Sequence, residues 1–269
     1  MPENLVTAIH RAASYSPNSV DKDAAILQSV CQSLRALGCK VVECGEDDLL
    51  PIDESQTYVT MGRSSRMLRL LENRERQGAL VVNSPAGIRL CCHRSALEML
   101  LRRSGIPLPE AASGSGYWLK RGDAPSQNPA DVVYASNRQE LEGRKADFLQ
   151  RGITDVVVSP HVEGDLVKFY GVEGTAFFHV CYPYDDGQSK FGDEVRNGRP
   201  HRYGFNRETL HRVAERAAQT AGVVVYGGDA IVRSDGSFCI IDLNDWPSFS
   251  RCRDEAAPVI AGRVIQLMK

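Results

Sequence analysis

Tyr226-Gly-Gly-Asp229-Ala-Ile-Val-Arg-Ser-Asp-Gly-Ser-Phe-Cys-Ile-Ile-Asp242-Leu-Asn244 reads as a β-hairpin carrying two carboxylates and an amide on one face. Asp235-Gly236 between two β-rich runs is the strongest short signal for a two-residue turn. Such a turn pairs Ser234 with Ser237, so Arg233 faces Phe238, Ile231 faces Ile240 and Asp229 faces Asp242. Asn244 follows on the same face, because side chains along a strand alternate. Directly opposed residues hold their Cβ atoms roughly 5 Å apart, where two like charges repel by about 3 kcal/mol at an effective dielectric near 20. A sheet keeps that pairing only with compensation. Hard oxygen donors from few carboxylates, with room left for water and phosphate oxygens, suit Mg²⁺ held together with a nucleotide.

The chain has 269 residues, 42% hydrophobic and 25% charged, enough to bury the core of two domains or one large one. A net charge of −2 carries no electrostatic footprint for nucleic acid or an anionic membrane. Met1-Pro-Glu-Asn4 and the short run Leu5 to Ile9 lack the features of a signal peptide, and no apolar run is long enough to span a bilayer. A cytoplasmic protein without nucleic-acid or membrane partners is expected. The eight cysteines form no Cys-x-x-Cys pair and several lie in apolar segments, which predicts buried reduced thiols.

From Leu5 to about Ala86 the pattern runs strand, helix, strand, strand, helix, strand, a small parallel α/β unit. Its first helix begins at Ser19, aligns Leu27, Val30, Leu34 and Leu37, and stops at Gly38. A helix follows over Arg94 to Arg103. Tyr117 to Arg121 and Val132 to Ala135 read as strands, Arg138 to Gln150 as a helix and Asp155 to Ser159 as a strand, together a small α+β lobe. A second hairpin from Asp165, turning at Glu173-Gly174, is expected to set Lys168 opposite His179. Tyr184 to Tyr203 is polar and reads as a lid or binding loop. A helix from about Asn206, the Asp229 hairpin and a last helix from Glu255 complete the order.

These pieces resemble the ATP-grasp superfamily over nearly the whole chain. The resemblance is carried by Asn83-Ser-Pro before a helix ending in Ser104-Gly-Ile-Pro107 and by Tyr117-Trp-Leu-Lys120. It extends through Val156-Val-Val-Ser-Pro-His-Val-Glu-Gly-Asp-Leu-Val-Lys168 and from Gly228-Asp229 to Asp242-Leu-Asn244-Asp-Trp-Pro247. It implies an α/β chain with α+β lobes: a parallel α/β pre-ATP-grasp domain at 1–88, a small ATP-grasp lobe at 89–160 and a large lobe with the metal site at 161–269. It further implies an ATP-dependent, Mg²⁺- or Mn²⁺-dependent carboxylate–amine or carboxylate–thiol ligase, similar to the ribosomal-protein glutamate ligase and D-alanine–D-alanine ligase types. The partners implied are a small-molecule carboxylate and an amine, an amino acid or short peptide, and a homodimer is compatible with the type.

Carried over by position, Asp229, Asp242 and Asn244 are the metal ligands. Lys120 and Lys168 meet nucleotide phosphates, Ser159, His161 and Val162 form the adenine hinge through backbone groups, and Asp165 meets the ribose. Arg94 stands where related enzymes often have lysine, the hinge lacks the usual acid, and Gly122 to Ala130 is not the usual Gly-rich phosphate cover. Lys190, Arg196, Arg199 and Arg202 would supply positive charge from the polar loop, with Arg202 and Lys168 assigned to catalysis. Parallel α/β units bind ligands beyond the carboxyl ends of their strands, which directs attention to His10, Arg11 and Arg63 as substrate contacts. Two alternatives remain open at this point: a small-molecule kinase of the inositol-phosphate-kinase type, whose Asp-x-Asn pair is the same, and a catalytically silent nucleotide-binding module.

Overall fold

The computed structural model describes residues 4–16, 19–48, 56–110, 115–126, 128–185 and 196–269. Three sheets are stacked along the chain. The first comprises β1 (Leu5–His10), β2 (Lys40–Gly45), β3 (Thr57–Thr60) and β4 (Leu80–Val82), all parallel, in the order β2-β1-β3-β4. Its helices are α1 (Val20–Ala36) and α2 (Ser65–Arg76). Ser19 occupies the α1 N-cap position without a side-chain cap, whereas the Ser64 hydroxyl accepts from Met67 N–H at the start of α2. Gly38 ends α1 at φ +88°, its N–H donating to the Arg35 carbonyl.

One helix is absent from the sequence reading: α3 (Pro85–Cys92) precedes α4 (Arg94–Arg103). Its signal is Ser84-Pro85, an N-cap serine accepting from Gly87 N–H, followed by proline in the first turn. A Cβ at Gly87 would collide with the Gly222 carbonyl, so this helix is seated directly on the third sheet's supporting helix.

The second sheet is antiparallel, with β5 (Tyr117–Arg121) between β6 (Val132–Ala135) and β7 (Val156–Pro160). α5 (Arg138–Gln150) covers its outer face, where Leu119, Ala135, Leu141, Phe148 and Ile153 form a closed cluster. The third sheet has the order β11-β10-β8-β9, from β8 (Asp165–Val172), β9 (Phe178–Cys181), β10 (Val225–Val232) and β11 (Phe238–Asp245), all antiparallel. α6 (Arg207–Ala221) and α7 (Arg253–Leu267) support it. One core runs from α1 and the first sheet through Tyr170, Trp246 and Phe249 into α7, so the first and third sheets share their interior.

Asn83 fastens the same junction. Fully buried, its Oδ1 accepts from the N–H groups of Val224 and Val225 at 2.8 Å each, and its Nδ2 donates to the Val225 carbonyl at 2.8 Å. The side chain therefore acts as an extra rung at the start of β10, the strand that carries Asp229.

All eight cysteines are free thiols. Burial pushes Cys31 and Cys252 up to about 12. No helix among the described residues is long and apolar enough to cross a membrane.

Candidate active site

The expected pair Asp229 and Asp242 is opposed, but by a different route from the one the turn suggests. The hairpin closes through a three-residue loop: Gly236 N–H donates to the Arg233 carbonyl at 3.0 Å, Arg233 N–H donates to Ser237 at 2.8 Å, and Gly236 lies at φ +81°. This puts Val232 opposite Phe238 and Ile231 opposite Cys239, one step from the expected register. A β-bulge between Asp229 and Ala230 then takes up one residue and restores Asp229 opposite Asp242. The bulge has a chemical use. Ile241, the extra residue, turns its carbonyl to the Lys120 Nζ, which donates at 2.9 Å.

β8 adds a third member to the row, since Lys168 is the register partner of Asp229 on its other side. Lys168 Nζ reaches both Asp229 oxygens, at 2.9 and 3.2 Å, and lies opposite Cys181 rather than His179, because the β8–β9 loop is longer than a tight turn at Glu173-Gly174. The Asn244 amide donates to Asp242 at 3.2 Å, which confirms the shared face. Arg94 Nε stands 3.9 Å from Asp242. Burial pushes the Asp242 carboxyl up, but Lys120, Arg94, the Asn244 amide and Lys168 outweigh it and hold it below the usual carboxylate range. Burial also draws the Lys120 ammonium below its ordinary value, against the pull of Asp242.

Glycines keep this surface flat. A Cβ on Gly228 would collide with the Asp242 carbonyl and the Phe169 ring, and one on Gly227 would stand 2.7 Å from Pro247. Among the described residues no three His, Cys, Asp or Glu side chains converge. The oxygens of Asp229, Asp242 and Asn244 are hard donors whose chemistry fits Mg²⁺ or Mn²⁺, and Lys168 sets an ammonium beside Asp229.

These groups line one cleft of about 350 Å³ between the second and third sheets. At one end lies an apolar slot, with Trp118, Val132 and Ser159 on the small sheet facing Leu166, Ile231 and Ile241 on the large one. His161 and Val162 form the connection between the sheets. The His161 N–H donates to the Gly116 carbonyl at 2.9 Å and so continues the sheet instead of pointing to a base. Its ring accepts from Trp118 Nε1 at 3.1 Å, and burial lowers its pKa.

At the other end Arg11, Arg63, Asp23 and Asp245 meet beside Ser248, Ser250 and Arg251. Arg63 Nη2 donates to Asp245 Oδ1 at 2.6 Å, and Arg11 donates to Asp23, Met61 and Trp246 at 3.0 Å each. Burial draws the Arg63 guanidinium down, and Asp245 outweighs it and raises its pKa. Behind them Glu46, 3% exposed, accepts from the N–H groups of Ala12, Arg63 and Ser64 at 2.6 to 2.8 Å, tying the loops after β1 and β3 together. Asp23, Asp245 and Glu46 were not singled out in the sequence. The signal available was their position: Asp23 lies in the first turn of α1 and Glu46 directly after β2, at the carboxyl edge of the parallel sheet, and Asp245 is the last residue of β11 in the antiparallel sheet.

Three expected contacts lie elsewhere. His10 pairs with Glu43 at 3.0 Å away from the cleft, because the last residue of β1 points to the β2 side while Arg11 turns inward. Asp165 is 1% exposed, and its two oxygens accept from His201 and Tyr203 N–H at 2.7 and 2.9 Å, so it anchors the loop rather than a ribose. Arg202 is exposed, pairs with Asp185 at 2.8 Å and lies over Tyr182, outside the cleft lining. Lys190 lies outside the described residues.

No protein-family model matches the chain, and no curated protein matches it by sequence. Solved structures do match. A RimK domain ATP-grasp protein from Sphaerobacter thermophilus superimposes with a TM-score of 0.66 at 18% identity, covering 97% of this chain and 99% of that one. The VanG D-Ala:D-Ser ligase from Enterococcus faecalis gives 0.71 at 11% identity, covering 99% and 100%. A D-alanine–D-alanine ligase from Bacillus anthracis, complexed with ATP, gives 0.67 at 12%, covering 99% and 96%. With the same sheets superimposed along practically its whole length, the chain has the ATP-grasp fold.

Proposed function

We propose that this protein is an ATP- and Mg²⁺-dependent ligase that activates a carboxylate as an acylphosphate for attack by an amine. The observation that carries the reading is the row Lys168, Asp229, Asp242, with Asn244 beside it, in one cleft between an apolar slot and an arginine-rich end. Its structural neighbours include an ATP complex and ligases by name. Asp229, Asp242 and Asn244 would hold the metal, which supplies charge neutralisation on the phosphate oxygens. Lys120, Lys168 and Arg94 converge on the same side and stabilise charge on the transferring phosphoryl group, so catalysis is positioning and electrostatics without a protein nucleophile. The slot at Trp118, Val132, Leu166 and Ile231 receives the base.

Arg11 and Arg63 present the far end to the carboxylate, the substrate class being an amino acid or short peptide. Their own acids, Asp23 and Asp245, largely balance them, which suits a singly charged group better than the polyphosphorylated substrate of a kinase. The γ-phosphoryl group passes to the carboxylate oxygen as ADP leaves; the amine then attacks the acyl carbon and inorganic phosphate departs. Phosphate release measured with Mg·ATP across pairs of amino acids and short peptides tests this. Release that needs both co-substrates supports the ligase, and a phosphorylated product without free phosphate would replace it with a kinase.

A further inference from the structure

The polar loop beyond the large sheet was expected to bring arginines to the transferring phosphate. Of its described residues, 184–185 and 196–203, Asn197 reaches the cleft, at the connection between the second and third sheets. Trp118 on β5 and Tyr134 on β6 are cross-strand partners on the cleft face of the small sheet, their rings 5.5 Å apart and edge-on. The Arg196 guanidinium carbon lies 3.8 Å over the Tyr134 ring and 5.9 Å from that of Trp118. Arg196 forms no ion pair among the described residues, although the nearby Glu163 is within hydrogen-bonding distance of Ser115, at 2.7 Å. A long exposed cation therefore rests on aromatic faces in preference to an acid.

The backbone that follows it is fastened at two points. Asn197, which itself lines the cleft, donates through Nδ2 to the carbonyls of Val162 and Gly164 at 3.2 Å each, and so binds to the connection between the sheets. His201 and Tyr203 are held by Asp165, and their rings stack at 4.9 Å. The segment is a built strap; Arg196 itself lies outside the cleft lining, next in sequence to Asn197 and beside Trp118, both of which line it.

We propose, resting on the nucleotide reading above, that Arg196 is a base-recognition residue: the strap closes the outer side of the slot and lays a planar guanidinium against the base beside Trp118. Arginine suits this role because its delocalised plane stacks on π-systems and is weakly hydrated. Contact with the base, not with phosphate, is what separates this role from the one expected of the loop.

Calorimetric titration with two probes, Mg·ATP and inorganic tripolyphosphate with Mg²⁺, distinguishes the roles. Quenching that is lost in Trp118→Phe locates the binding at the slot, since the other tryptophan, Trp246, lines the far end of the same cleft. Arg196→Ala should weaken Mg·ATP about tenfold while leaving tripolyphosphate unchanged, and Arg196→Lys should fall between. Asn197→Ala should weaken Mg·ATP by releasing the strap, again with tripolyphosphate unaffected. Unchanged affinity for Mg·ATP in Arg196→Ala, or an equal loss for both probes, overturns the assignment while leaving the ligase reading intact. A wild-type protein that binds Mg·ATP no better than tripolyphosphate removes the base slot itself, and the inference falls with it.

Discussion

Replacing Asn83 by alanine cuts the joint between the first sheet and the strand that carries Asp229. The native amide satisfies two N–H groups, Val224 and Val225, and donates once to the Val225 carbonyl. That carbonyl keeps a second partner, the Trp246 N–H at 3.0 Å, so its loss is small. The two N–H groups have no such reserve. Val225 is fully buried and Val224 partly so, and each orphaned donor costs about 1–3 kcal/mol. The expected destabilisation is therefore about 2–6 kcal/mol, centred near 4, which is roughly a thousandfold in the folded-to-unfolded ratio. Urea unfolding followed by far-ultraviolet circular dichroism measures it. Asn83→Asp is the informative companion: it keeps an acceptor for both N–H groups but places a carboxylate against the Val225 carbonyl, so it should also lose stability. A cost below about 1 kcal/mol for the alanine variant would refute the accounting, because it would mean that water or a shifted strand satisfies those groups without the side chain.

Asp242→Asn should reduce Mg·ATP-dependent turnover by at least about a hundredfold while leaving the circular dichroism spectrum unchanged; retained turnover would remove the metal assignment. At the other end of the cleft, Asp245→Ala leaves the buried Arg63 without its 2.6 Å partner and should cost about 3–5 kcal/mol. Arg63→Met leaves Asp245 beside Arg11 at 3.7 Å, and the double variant should fall short of the summed single costs by about 1–3 kcal/mol in urea unfolding. Strict additivity would show that the pair does not interact. Glu173 accepts from Arg263 at 2.8 Å and Gln219 at 3.1 Å, and these bonds outweigh burial to hold its pKa below the ordinary 4.5. Its contribution is thus complete above 4.5 and is lost as pH falls through the lower folded value. Glu173→Gln should accordingly show a smaller drop in melting temperature than the wild type between pH 6 and the acid limb, and an equal drop would exclude the effect.

The elements themselves were legible where one physical rule dominated. Helix α4 and strands β5 and β6 begin and end where their stripes and alternation do, because nothing tertiary competes with the local pattern. The hairpin shows the opposite case. Asp235-Gly236 signals a two-residue turn by its chemistry, yet the same glycine serves equally as the left-handed third residue of a longer loop, and local sequence cannot choose between them. The displaced register would have thrown Asp229 off its partner had the bulge at Ile241 not absorbed the difference. A bulge carries no residue signature here. Its cause is non-local: Lys120, arriving from another sheet 121 residues away in sequence, takes the carbonyl that the bulge releases.

The candidate site divides along the same line. Asp229, Asp242, Asn244, Lys120 and Lys168 all line the cleft: alternation gives Asp242 and Asn244 one face, the bulge restores Asp229 opposite Asp242, and the two lysines were indicated by the resemblance rather than by register. His10, Asp165 and Arg202 sit at strand ends or in a loop, where one dihedral change sends a side chain to either side and pattern gives no direction. Asp165 is the instructive instance: a buried acid at the start of β8 has two N–H groups of the strap within reach, and two such bonds in a low-dielectric position outbid a hydroxyl that arrives only with a ligand. The far end of the cleft follows suit, since Asp245 is read from sequence as one more residue after Asn244. Only when β1 and β3 come in beside β11 does it become the carboxylate that holds Arg63 and faces Arg11. Long-range convergence of charges onto a strand end, rather than any motif, is what assembles that end of the cleft.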